Sequence, residues 1–211
     1  MDKKETIARI IELEWGMFQT VNPDGSYRAD CQDDRPTFVG MRNGQFESWP
    51  QEALDSYLRD LERAIQTGRN LVREKYIHMM EHTSPASYIQ LIGQIGSPSP
   101  QVRAAADELT ALLVEQTVPL HEAYPNVAGG GRPLRSSEDF KGVISIETYQ
   151  RGELLTYSEE TINILYGYIK DLAEKGVSMA RVILENSLAH YGFKSLEEAE
   201  AYVSSRRNGS R

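Results

Sequence analysis

The chain has 211 residues, 31 acidic against 23 basic side chains, a formal charge of -8 and a pI near 5.1. That length suits one sizeable domain with a closed core, and that charge argues against a broad nucleic-acid or anionic-membrane surface while leaving room for a local basic pocket. A single cysteine, Cys31, excludes an internal disulfide framework and a cysteine-rich zinc site.

The start MDKKETIARI is charged and helical in pattern, without an apolar core and cleavage site after it. Nowhere do about 18 apolar residues run together, so the expected compartment is the cytoplasm, with no membrane partner. The first helix is predicted from Asp2, where Glu5 completes a capping-box pair, to about Val21, before the turn Asn22-Pro23-Asp24-Gly25. Ile7, Ile10, Ile11, Trp15, Phe18 and Val21 form one stripe, and Glu14 falls in its middle. A carboxylate there must pair, protonate or do chemistry, because burying it unpaired costs several kcal/mol, roughly. Both a structural pairing with an arginine and a catalytic role stay open.

The polar stretch that follows carries Cys31. Asp30, Asp33 and Asp34 oppose a reactive thiolate and only Arg28 and Arg35 favour one, so a buried or incidental thiol outweighs a nucleophile, with Cys31 kept among the catalytic candidates. A short helix spans about Phe38 to Phe46 despite Gly40 and Gly44. A firmer one starts at Trp49-Pro50, with Leu54, Tyr57, Leu58, Leu61, Ala64 and Ile65 at helical spacing until Gly68. Asn70 caps a helix to Met80 with the stripe Val72, Tyr76, Met79 and Met80; Lys75, at its edge, either snorkels or points its amine into a pocket. The run His78 to His82 matches the reversed zinc-protease pattern His-x-x-Glu-His. Its His78, Glu81 and His82 project mostly away from the stripe, so surface histidines are expected, with no metal and no other cofactor.

Ser84-Pro85 and Ser99-Pro100 each read as an N-cap followed by proline at the first helical position. The first opens a short helix to about Ile95. The second opens a long one to about Val118 with Val102, Ala105, Ala106, Leu109, Leu112 and Leu113 inward. Thr156 or Ser158 caps a helix that stops at Gly176. The run from Val177 to Tyr191, apolar on more than one side, should be central, and Ser195 with Glu198 caps a last short helix. The expected fold is all-α, a single compact multi-helix domain over 1–205 with one long ordered polar loop segment at about 124–157 and a frayed tail at 206–211.

Within that segment, Gly129 to Ser158 holds three arginines, Arg132, Arg135 and Arg151, beside Glu138, Glu147, Glu153, Tyr149 and Tyr157. Interleaved Val143, Ile144, Ile146, Leu154 and Leu155 argue against disorder. Gly129-Gly130-Gly131 lacks the Gly-Lys-Ser/Thr ending of a phosphate-binding loop, but its amides with Arg132 and Arg135 suit a carboxylate or phosphate. The plainer alternative makes the glycines a turn and Ser136 or Ser137 a helix cap. Glu147 and Arg151 would form an ordinary intrahelical pair if this part is helical.

Glu12-Leu13-Glu14-Trp15, Cys31-Gln32-Asp33-Asp34, Gly68-Arg69-Asn70-Leu71, the run Gly131 to Asp139 and the run Glu147 to Ser158 together resemble the bacterial domain-of-unknown-function family 4125 over nearly the whole chain. The resemblance brings no established activity. Similar chains joined to nucleotidyltransferase-like domains would suggest a small-molecule or nucleotide pathway, with a homodimer or a partner enzyme domain as company.

Two functions are therefore expected as alternatives. One is a metal-free enzyme, a lyase, isomerase or transferase on a small anionic molecule bearing an amino-acid, carboxylate or phosphate group. Its substrate would be held by Arg132, Arg135, Arg151, Lys75, Ser136 and Ser137, with Glu14, Glu147, Glu153, Tyr149, Tyr157 and Cys31 as catalytic candidates. The other is a helical ligand-binding or protein-interaction module in which the same residues form a salt-bridge network. Either way, Glu14 needs a cation, and it is expected to meet the arginines of the central segment in space.

Overall fold

The computed structural model describes residues 1–22, 30–140 and 142–209. Among them are ten α-helices and no strand, only an isolated bridge between Phe140 and Val143. The helices are α1 (Lys3–Gln19), α2 (Arg35–Glu47), α3 (Gln51–Gln66), α4 (Leu71–Thr83), α5 (Pro85–Leu91), α6 (Pro100–Ala123), α7 (Ile146–Leu154), α8 (Glu159–Glu174), α9 (Met179–His190) and α10 (Leu196–Gly209).

Local chemistry sets most starts. Asp2 and Glu5 exchange the reciprocal hydrogen bonds of a capping box at α1. Asn70, Ser99, Ser145 and Ser158 each accept an amide two or three residues into α4, α6, α7 and α8. Gly68 and Gly176, at positive φ, follow α3 and α8. The fully buried Ile10, Leu54, Leu61, Leu109, Ile162 and Leu165 come from α1, α3, α6 and α8, and make the centre of the core.

Packing follows a closed circuit in which α1 contacts α3, α3 contacts α8, α8 contacts α6, α6 contacts α7, α7 contacts α4 and α4 returns to α1. Helices α2 and α9 span from α1 to α6 across it. Glycines allow close approaches between helices, at Gly44 and Gly152 as at Gly40. A Cβ on Gly44 would strike the Ser187 hydroxyl of α9, and one on Gly152 would lie 2.7 Å from Met79 Cγ and 3.0 Å from the Lys75 carbonyl oxygen of α4. The second contact matters most here, because it seats α7 directly on α4 and carries Glu153 to Lys75.

Several expectations change. The 124–157 segment is not loop throughout: Ser136–Glu138 forms a 3-10 turn and Ile146–Leu154 is helix, capped by Ser145. Helix α6 passes through Pro119 to Ala123. Helix α9 is not central; Met179 alone is fully buried, because the helix packs on α2 and α6 and leaves its remaining apolar sides half-covered. Helix α10 runs on to Gly209, so Arg206 and Arg207, expected in a frayed tail, are helical, and Arg207 donates to the Asn126 side chain. His78 is buried, not on a solvated face, because α4 is covered by α1 on one side and α7 on another. The turn at Pro23 to Gly25 and Arg28 lie outside the described residues.

Candidate functional site

Helices α1, α2, α4 and α7 face one another around a buried ionic network. Glu14 of α1 accepts a two-pronged hydrogen bond from Arg42 of α2, with Nη2 to Oε1 at 2.6 Å and Nε to Oε2 at 2.7 Å. The Tyr57 hydroxyl adds a third donor at 2.7 Å. Glu153 of α7 takes the other edge of the same guanidinium, Nη1 to Oε1 at 3.0 Å, and also accepts from Gln45 at 2.8 Å, Tyr157 at 2.8 Å and Lys75 Nζ at 2.6 Å. Two carboxylates and two cations thus cancel, and each carboxylate oxygen has at least one donor, the condition under which buried charge is tolerated. Phe46 lies under the Arg42 guanidinium at 4.5 Å, and Trp49, Tyr57 and Tyr157 meet edge-to-face or tilted beside it.

This arrangement fixes the protonation states. Burial alone would raise the Glu153 carboxyl, but Arg42 and Lys75 outweigh it and hold it well below the usual carboxylate range. Burial would lower Lys75, yet Glu153 and Tyr149 raise it, so Lys75 is an ammonium at neutral pH. Burial and Glu14 push the Tyr57 phenol far up, and burial and Glu153 do the same to Tyr157. Both phenols are fixed hydrogen-bond donors.

A pocket of about 160 Å³ opens beside the network. Lys75 faces it, as do Arg132 and Tyr149 from the central segment, while Phe18, Phe38 and Val72 supply apolar wall. Of its three donors, Lys75 spends one on Glu153; its ammonium also lies 3.6 Å from the centroid of the Tyr149 ring, over which Arg132 stands at 5.0 Å. Arg132 is exposed and, among the described residues, makes one hydrogen bond, to the Ile144 carbonyl. Burial and Tyr149 raise the Tyr76 phenol, also on the wall, to about 12. Exposed Cys31 and the Asp34 carboxylate, the latter turned into the cap of α2, complete the rim.

The candidates named from sequence fall into two groups. Glu14, Lys75, Arg132, Tyr149, Glu153 and Cys31 all line this pocket, and Tyr157 sits behind it, bonded to Glu153. Glu147, Arg151 and Ser136 line a separate cleft with His82 and Asp107. The intrahelical Glu147–Arg151 pair does not form: Glu147 accepts the Ser136 amide, while Arg151 reaches Glu81 and Asp107. Arg135 points away to Glu115, and Ser137 is exposed. Cys31, read as a buried or incidental thiol, is exposed, its 3-10 turn lying at the pocket's mouth, so the buried alternative falls.

Glu14 does meet a cation, but Arg42 supplies it, not Arg132, Arg135 or Arg151; the central segment contributes Glu153 and Tyr157 to the network instead. Arg42 was missed although its signal was present. It lies one helical turn from both Phe38 and Phe46, the same test that singled out Glu14. Tyr57 stood in the expected stripe of α3, where an inward phenol needs a partner for its hydroxyl.

Among the described residues no group of three or more histidine, cysteine, aspartate or glutamate side chains is placed to hold a metal ion. No helix among them is long and apolar enough to cross a membrane. The model of the family described as protein of unknown function (DUF4125) matches residues 4–201. No curated protein and no solved structure matches the chain.

Proposed function

The chain belongs to that family of unknown function, and we propose from its site that it binds a small anionic molecule with an apolar body. The Lys75 ammonium and the Arg132 guanidinium would hold the anionic group, with the body against Phe18, Phe38 and Val72. The observation that carries this reading is the position of Lys75: a buried, protonated ammonium that spends one of its three donors on Glu153 and faces an open pocket. A space near 150 Å³ admits a molecule of about benzene size, which sets the scale of the body.

Glu14 and Glu153 are then anchors. Both oxygens of each accept hydrogen bonds, and Glu153 is held ionised, so Glu153 is no ready proton acceptor at neutral pH. This favours a ligand-binding role over the general acid/base enzyme. Lys75 and Tyr76 are in turn held protonated, so they serve the bound anion as a cation and a hydrogen-bond donor.

Benzoate tests the reading. Millimolar benzoate should raise the melting temperature, since a ligand of the folded state stabilises it by mass action, whereas neutral benzamide should not. Arg132→Ala, at an exposed position, should fold normally and lose most of the shift; Lys75→Met should lose all of it. An equal shift in Arg132→Ala, or none in the unaltered protein, would count against an anion pocket.

A further inference from the structure

A second pocket, of about 190 Å³, adjoins the first. The two share Arg132, Tyr149 and Glu153 as lining residues, so these side chains form the partition between them. Beyond the partition the character changes: Trp49, Leu113, Leu165, Ile169, Met179 and Ile183 make the wall, with no further ion pair. Gln150, on the same wall, has a buried side-chain oxygen without a hydrogen-bond partner, which is an expensive condition unless something polar reaches it.

The partition is soft on one side. Glu153 is fixed by five hydrogen bonds. Tyr149 is held by the two cations over its ring, and its hydroxyl has no hydrogen-bond partner among the described residues. Arg132 is exposed. A ligand whose anionic group drew Lys75 and Arg132 to itself would weaken both contacts that seat the Tyr149 ring. Recognition of the head would thus loosen the partition in front of the tail.

Building on the anion-binding reading, we infer that the ligand is an amphiphilic anion whose apolar chain passes Tyr149 from the first pocket into the second. The chemical class is a carboxylate or phosphate monoester carrying a flexible chain longer than the first pocket can hold. The first pocket selects charge and the second selects length.

A homologous series of straight-chain carboxylates, butanoate to octanoate, measured by isothermal titration at one ionic strength, tests this. Affinity should climb roughly fourfold with each added methylene, as burial of apolar surface requires. Ile183→Trp and Ile146→Trp each place bulk into the second pocket from half-buried positions. Either variant should bind butanoate as the unaltered protein does and bind octanoate no better than butanoate. Two variants on different helices guard against one that fails to fold. If butanoate binds but affinity is flat with length, or if the length dependence survives in a folded tryptophan variant, the second pocket is not part of the site and only this inference falls. If no member of the series binds, both this inference and the anion-binding reading fall. Octanol binding as tightly as octanoate would overturn the anionic head while leaving an apolar site.

Discussion

The ion pair of Arg42 with Glu14 and that of Arg135 with Glu115 have the same chemistry in opposite surroundings. Side-chain exposures are 9% and 4% for the first pair and 40% and 66% for the second. Water screens the outer pair, so it contributes little to stability. The inner pair is desolvated, and losing one member strands the other in a medium that cannot solvate it. The comparison teaches where a site arises: charge density along the sequence marked the outer region, while burial and convergence of four helices made the inner one.

Replacing Arg42 by methionine should give the largest effect. The stem would still fill the space over Phe46, but Glu14 would lose the cation that it pairs with, while Glu153 would keep Lys75. Urea denaturation should report a loss of about 3–5 kcal/mol. Adding Glu14→Gln to that variant should recover part of the loss, because it removes the stranded charge. A loss no larger than that of an exposed pair would break the distinction between the two regions.

The helical framework was legible in the sequence because caps and stripes are local: Asp2 with Glu5, Asn70, Ser99 and Ser158 all serve as expected. The site was legible by halves. Glu14, Lys75, Glu153 and Tyr157 could be suspected, since a charge on an apolar stripe or an interior phenol needs a partner. Which partner it finds depends on how α2 lies against α9 and α7 against α4. Those approaches rest on the missing side chains of Gly44 and Gly152, which leave no trace in hydrophobic periodicity. His78 shows the same limit: one helix wheel cannot tell that a second helix will cover its polar side.

His78 separates the regions by pH. Burial and Arg103 depress its imidazole to about 4 from an ordinary 6.5, and its Nδ1 has no hydrogen-bond partner. The unfolded chain therefore binds this proton more readily than the folded one. The stability owed to neutral His78 is complete above about pH 6.5 and is lost as pH falls toward 4, amounting to about 3 kcal/mol. Glu153 works in a lower window. Its folded value is depressed, so its contribution is present above about 4.5 and fades only below that. Urea midpoints should fall between pH 6.5 and 4.5 in the unaltered protein, and His78→Leu should flatten most of that slope while the fall below 4.5 remains. An unchanged slope in the leucine variant would assign it elsewhere.

The smallest effect belongs to Arg135→Ala, and it sharpens the comparison most. Its guanidinium bonds the Glu115 carboxylate at 2.7 Å, as short as the Arg42 Nε contact to Glu14 in the inner network. Length is not strength here, because both groups keep much of their hydration and holding two long side chains together costs rotamer entropy. The expected change in the urea midpoint is within the error of the measurement. Benzoate should shift this variant's melting temperature as it does that of the unaltered protein, since Arg135 lines neither of the two adjoining pockets. Arg132, three residues earlier and also exposed, should behave alike in urea and differently with benzoate. Loss of the benzoate shift in Arg135→Ala would mean that the whole arginine-rich stretch acts as one diffuse field of positive charge, and the distinction between a built pocket and a decorated surface would fail.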